Sequence, residues 1–206
     1  MSLPTSATYQ VHPLDPHHSH TTPTHHENHR QTSIPKPTPG PGEVLIRIRA
    51  AALNYRDLLV LAGSPAYPAT TSPGLTPLAD GAGTIEATGA NSIWAAYLDA
   101  GVIFVLNGRW ADGDVEGTRV EDGLGSGAVH GTLRQYAVVK DSWVVRKPTN
   151  LSMLEAAAAG CAAGTAVNAL GTVSVGKGTT VVALGTGGVS CFVIQVCFSF
   201  ERYRRG

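Results

Sequence analysis

A β-branched and apolar run, Thr179-Thr180-Val181-Val182-Ala183-Leu184, passes directly into Gly185-Thr186-Gly187-Gly188-Val189-Ser190. An apolar helical pattern follows, carried by Val189, Phe192, Val193 and Val196. Strand, glycine turn and helix in immediate succession form the context that a dinucleotide-binding turn requires. Gly185 permits the tight turn, and Gly187 lets the backbone approach a pyrophosphate. Ser190 stands where a third glycine is usual and is small enough for helix–strand packing. The helix start would offer free N–H groups and the positive end of its dipole to the phosphates. Taken alone, the motif leaves two readings open: a nucleotide site, or only a turn. The residue that would separate NAD from NADP belongs about 20 residues further on, and the chain ends at Gly206.

Hydrophobic residues make up 43% of the 206 and charged residues 15%. That is enough apolar material for a core and too few charges for a chain without one. Lys+Arg and Asp+Glu both number 15, which disfavours a generally basic nucleic-acid binder. No uninterrupted apolar run reaches about 18 residues, so no membrane-spanning helix and no membrane partner are expected. The 24 glycines and 13 prolines predict many turns and a β-rich component. Three cysteines, Cys161, Cys191 and Cys197, fit a reducing, cytoplasmic setting better than a disulfide scaffold.

Residues 1–34 read as a His- and Pro-rich tail without a core of its own. Met1 to Gly42 hold eight of the thirteen prolines and seven of the eight histidines, with apolar residues sparse until Ile34. Such a segment does not offset its ordering entropy, with only Thr8 to Val11 a candidate strand. It has neither the apolar centre of a signal peptide nor the Arg-rich character of a transit peptide. His12, His17, His18, His20, His25, His26 and His29 offer imidazoles to a transition metal. The plainer reading is adventitious affinity, because selectivity needs fixed geometry.

Residues 35–150 read as an irregular β-rich domain. The proline block from Pro35 to Gly42 is stiff and extended. In Glu43 to Ala50, Val44, Ile46 and Ile48 share one face and Arg47 and Arg49 the other, the alternation of a half-buried strand. Asn54 to Ala62 predicts a short helix ending at Gly63. Gly83–Thr88, Val102–Leu106 and Leu133–Val139 are further strands, and Asp112 to Gly131 reads as exposed loop. Within 151–206, Ser152-Met153-Leu154-Glu155 is a capping box that opens a helix. Gly160 to Thr165 is expected to interrupt or bend it, with Ala166 to Leu170 resuming the pattern.

Several segments in order resemble the medium-chain dehydrogenases/reductases. They are Gly42 to Asp57, with Asn54-Tyr55-Arg56-Asp57 at its end, then Pro77-Leu78-Ala79-Asp80-Gly81-Ala82-Gly83, Gly131 to Ala137, Gly160 to Ala166, and Gly185 to Ser190. The resemblance covers about Pro35 to Gln195 and is nearest to the alcohol-dehydrogenase-like and quinone-reductase-like members. It implies a mixed α+β chain: a GroES-like catalytic domain over 35–150, then the first β-α unit of a truncated Rossmann domain over 151–206. It implies hydride transfer between NAD(P)H, NADP favoured, and a small carbonyl, enone or quinone. The zinc branch holds its metal with Cys, His and Cys. Here those positions carry Asn54, Ala79 and Cys161, so the resemblance implies no zinc.

By the same resemblance Asn54 lies near the nicotinamide, as both a catalytic and a cofactor-binding residue, and Thr165 near the nicotinamide end. For Thr165 the alternative is a helix threonine bonded to a preceding carbonyl. Tyr55 is a candidate to meet a substrate oxygen, or else a core aromatic. Asp57 is expected to cap the turn or pair with an arginine. Gly185, Thr186, Gly187, Gly188, Val189 and Ser190 would hold the pyrophosphate. The chain departs from the family in three places. The His-rich tail stands where relatives have a β-hairpin, Trp94 to Ala100 replaces a strand entrance, and the match stops after Gln195. Read as truncated, the chain is expected to bind NADPH poorly. A non-catalytic module that self-associates is the alternative to a reductase.

Overall fold

A computed structural model of the chain describes residues 5–11, 29–69, 71–110, 117–171, 175 and 178–203. Its centre is a five-stranded antiparallel sheet in the order β6-β3-β4-β5-β7. The strands are β3 (Glu43–Ala52), β4 (Asp80–Thr88), β5 (Gly101–Phe104), β6 (Tyr136–Lys140) and β7 (Val144–Arg146). β3 lies between β4 and β6 and makes both ladders, Val44 facing Thr88 on one side and Val139 on the other.

The alternation read in β3 is present from Ile46 to Arg49, with Ile46 fully buried and Arg47 and Arg49 exposed; Val44 is buried as read, but so is Leu45, beside a register shift between Leu45 and Ile46. On that face Val44, Ile46, Ile85, Val102 and Phe104 pack with Leu124, Ala137 and Trp143. The opposite face gathers Ala50, Ala82 and Ile103 against Ala156 and Ala157 of a long helix, α2 (Met153–Gly171). Ile103 thus serves one layer while Val102 and Phe104 serve the other, as the two-residue period of a strand requires. A short helix, α1 (Tyr55–Leu61), follows β3 directly and is capped by Asn54.

Four expectations are corrected. First, the 1–34 stretch is not structureless throughout. β1 (Thr5–Val11) and β2 (His29–Pro35) pair antiparallel from Thr5↔Pro35 to Val11↔His29, so a hairpin stands where the His-rich sequence was expected to replace one. β1 is held by partners far along the chain: Tyr9 N–H donates to the Leu133 carbonyl at 3.0 Å and Gln135 N–H to that of Ala7 at 2.9 Å. Composition cannot show such distant partners. Residues 12–28, with six of the tail histidines, lie outside the described residues.

Second, α2 runs unbroken through Gly160 and Thr165. A Cβ on Gly160 would stand 2.6 Å from Asp80 Oδ1, so close packing, not helix breaking, explains that glycine. α2 is also long and apolar enough to cross a bilayer by length and composition, which Glu155, Thr165 and Asn168 obscure in the sequence. Its small-residue face lies on the sheet.

Third, the 112–131 loop is not simply exposed. Residues 111–116 lie outside the described residues, but Gly123 to Gly127 are buried. Fourth, Thr179 to Leu184 forms no ladder, although the turn after it does open a helix, α3 (Gly188–Tyr203). A parallel strand needs a neighbouring strand to supply its hydrogen bonds, and none lies beside it among the described residues. Val182 is 78% and Leu184 87% exposed.

Candidate functional site

Asn54 ends β3's run into α1. Its extended backbone (φ −119°, ψ 159°) turns the chain into the helix. Asp57, one turn on, accepts the Asn54 N–H on Oδ2 at 2.8 Å, the reciprocal half of an N-terminal cap. Its other oxygen pairs with Arg56 Nη1 at 3.2 Å. Both structural roles expected of Asp57 are therefore present. Arg56 reaches further, donating to the Leu124 carbonyl at 3.0 Å and the Tyr67 hydroxyl at 2.8 Å. The 123–127 segment is thereby fastened to α1.

The centre of the site is Asp80, the first residue of β4 and 1% exposed. Its Oδ2 accepts from Asn54 Nδ2 at 2.8 Å and its Oδ1 from the Cys161 N–H at 2.8 Å. One carboxylate thus joins the cap of α1, the start of β4 and the middle of α2. Burial pushes its pKa up to about 6. The Asn54 and Cys161 hydrogen bonds oppose that rise, Asp57 adds to it, and Arg56 opposes it. Burial also raises Asp57, against its hydrogen bond from Asn54 and the Arg56 charge. It raises the Cys161 thiol, with the Asp80 charge adding to the effect.

Leu78 aims this carboxylate. Its backbone is left-handed (φ 73°), a conformation that costs a non-glycine residue of order 1 kcal/mol or more. The turn is held from outside: Thr132 N–H donates to the Leu78 carbonyl at 2.9 Å and Leu133 N–H to that of Pro77 at 3.1 Å. Gly125 and Gly131 face the same peptide, and a Cβ on Gly125 would come within 2.6 Å of the Leu78 oxygen.

The structure brings Asn54 and Cys161 together through Asp80. Tyr55 is 76% exposed, so it is no core aromatic. Thr165 donates to the Cys161 carbonyl at 2.8 Å, the helix-threonine alternative. Gly185 has φ +77° and opens the turn as expected. No atom lies within 4 Å of a Cβ built on Gly185 or Gly187, whereas one on Gly188 would lie 3.1 Å from Ala162 Cβ. Gly188, not position 190, is the close-packing glycine. It seats the turn beside Ala162, the neighbour of Cys161. Ser190 Oγ instead bonds back to the Leu184 carbonyl at 2.8 Å. The sequence reading missed Asp80 as a site residue. The available signal was an acid among small and apolar residues, Leu78-Ala79-Asp80-Gly81-Ala82.

The donor set does not fit a catalytic zinc. Ala79 supplies no ligand atom, which leaves Asn54 and Cys161 short of the three protein ligands that a catalytic zinc takes. No three His, Cys, Asp or Glu side chains among the described residues are grouped to hold a metal ion. The glycine turn does fit a pyrophosphate, with open space above Gly185 and Gly187 and a helix N-terminus behind them.

Residues 40–149 match the family described as the alcohol dehydrogenase GroES-like domain. A zinc-type alcohol dehydrogenase-like protein of Schizosaccharomyces pombe is 39% identical over 160 residues, spanning 75% of this chain and 44% of that protein. A solved structure from Sinorhizobium meliloti 1021, assigned as an alcohol dehydrogenase, superposes with TM-score 0.78 at 28% identity over 97% of this chain and 55% of its own. The acetophenone reductase of Geotrichum candidum, solved in complex with NAD, gives TM-score 0.75 at 19% identity over 97% and 57%. The chain spans about half the length of these relatives.

Proposed function

Because this chain belongs to the medium-chain dehydrogenase/reductase superfamily through its alcohol dehydrogenase GroES-like domain, we propose that it serves an NAD(P)H-dependent reductase acting without zinc on a small carbonyl, enone or quinone. The observation that carries this reading is the Asn54–Asp80–Cys161 arrangement. By the resemblance, Asn54 and Cys161 hold two of the three positions that carry the metal ligands in the zinc branch, and here they are joined through Asp80 by hydrogen bonds.

NADP, favoured over NAD, would be held at its pyrophosphate by the backbone of Gly185 to Ser190, and when bound it supplies the hydride. Asp80 fixes the Asn54 side chain by taking its amide nitrogen, which leaves the amide oxygen as the group directed away from the carboxylate. Tyr55, exposed at the first position of α1, would give a proton to a substrate oxygen. The proposed setting is cytoplasmic, in keeping with three free thiols.

The test is amide NMR of the full chain titrated with NADPH and with NADH. Weak, fast-exchange shifts at Gly187, Gly188 and Ser190 are expected at high nucleotide concentration, and Asn54→Ala should leave them in place while removing any deuteride transfer from labelled cofactor to an enone. No shift at the turn with either nucleotide sinks the reading. A second reading, association through the C-terminal unit, rests on a groove of about 330 Å³ lined by Val181, Ala183, Val193, Ile194, Cys197 and Phe198. A concentration-dependent mass in sedimentation would then accompany the missing shift.

A further inference from the structure

Arg134 sits opposite Thr8 of β1, just before β6. The residue as a whole is half-buried, yet its Nε is closed off from solvent and has no hydrogen-bond partner. Among the described residues, Nη2 reaches only the His130 carbonyl, at 3.4 Å. Burial lowers its pKa to about 10 with no carboxylate to oppose the shift. A guanidinium taken from water without an acid is costly to keep, and four of its five N–H donors remain to be used.

The same side chain lines a cavity of about 210 Å³. Val129, Val138 and Trp143 form apolar walls, and Lys140 and His130 bring further donors. Among the described residues, no acidic side chain lines it. His130 Nδ1 accepts the Thr76 N–H at 3.0 Å, so a neutral ring carries its proton on Nε2. Burial, and then the Arg134 charge, lower the His130 pKa, which keeps the ring in that neutral donor form.

We propose that this cavity is a binding site for a small organic carboxylate, with Arg134 taking the carboxylate and the Val129, Val138 and Trp143 walls its apolar end. The guanidinium fork matches a carboxylate in shape as well as charge. The space equals that of about seven liquid waters, which limits the ligand to a short acid or a single ring. The cavity shares no lining residue with the Asn54–Asp80 cluster, so this inference stands apart from the reductase reading.

The test uses the full chain, ¹⁵N-labelled, with benzoate as probe and sulfate at equal ionic strength as control. The Arg134 Nε–H resonance, identified by its loss in Arg134→Lys, is expected to move saturably with benzoate. Sulfate should bind at least about tenfold more weakly, because it gains nothing from the apolar walls. Arg134→Lys keeps the charge but loses the fork, and should weaken benzoate about tenfold. Arg134→Met should abolish binding and raise the Tm, since an apolar side chain removes a lone buried charge. If Arg134→Met does not fold, Arg134→Lys still decides. An unmoved Nε–H, an equal response to sulfate, or full benzoate affinity in Arg134→Lys each overturns the proposal.

Discussion

β3 and the 179–184 segment are built from the same kind of residue, and the structure treats them in opposite ways. Val44 and Ile46 in β3 are fully buried between two neighbouring strands, while Val182 and Leu184 stand in solvent with no ladder on either side. β-propensity is equal or higher in Thr179-Thr180-Val181-Val182. The difference lies in company: a strand is a relation between segments, and a run of valines becomes one only when another backbone answers its N–H and C=O groups.

Hydrogen exchange gives this comparison its hardest test. Ile46 and Ile48 amides are expected to exchange at least about a thousandfold more slowly than those of Val182 and Ala183. Slow exchange in the second pair would break the contrast and reveal a covering partner. Truncation should divide the same way: Ile46→Ala should cost about 2–5 kcal/mol in urea unfolding, and Leu184→Ala no more than about 0.5 kcal/mol.

Asp80 sharpens the comparison at the joint between sheet and α2. Its folded pKa of about 6 lies above the unfolded value of about 3.9. Its contribution to stability is therefore fully present below about pH 4 and lost as pH rises through about 6, on the order of 3 kcal/mol. Asp80→Asn should flatten that window, with a residual slope from Asp57, which burial shifts the same way. The new amide can accept from Cys161 N–H only by turning its nitrogen toward Asn54, so Asn54 must flip. Reductase activity should fall while the fold survives, as circular dichroism alongside turnover would show. Gly160→Ala, which pushes a methyl against Asp80 Oδ1, should cost about 1–3 kcal/mol. Ser152→Ala, which opens the capping box on Glu155, should cost about 1 kcal/mol by thermal unfolding.

Local signals carried much of this molecule. The alternation from Ile46 to Arg49, the helix from Asn54, the capping box at Ser152 and the turn at Gly185 are each written in fewer than ten adjacent residues, and each is present. What the sequence hid depends on distant partners. β1 is held by Leu133 and Gln135, Gly160 answers to Asp80, and the loop at 123–127 is buried because Arg56 reaches across to it. The site follows the same rule. Asn54 and Cys161 were legible as positions in a family pattern, but the carboxylate that joins them shows itself only when β3, β4 and α2 meet.

The left-handed turn at Leu78 reaches beyond energetics, into heredity. Position 78 is far in the gene from 125 and 131, yet the three share one small volume, and two must lack a side chain for the third to hold its shape. A lineage is free to drift at Val182 or Leu184 one letter at a time. At Leu78, Gly125 and Gly131 it must change several letters together or none, so these three should be passed on as a single character.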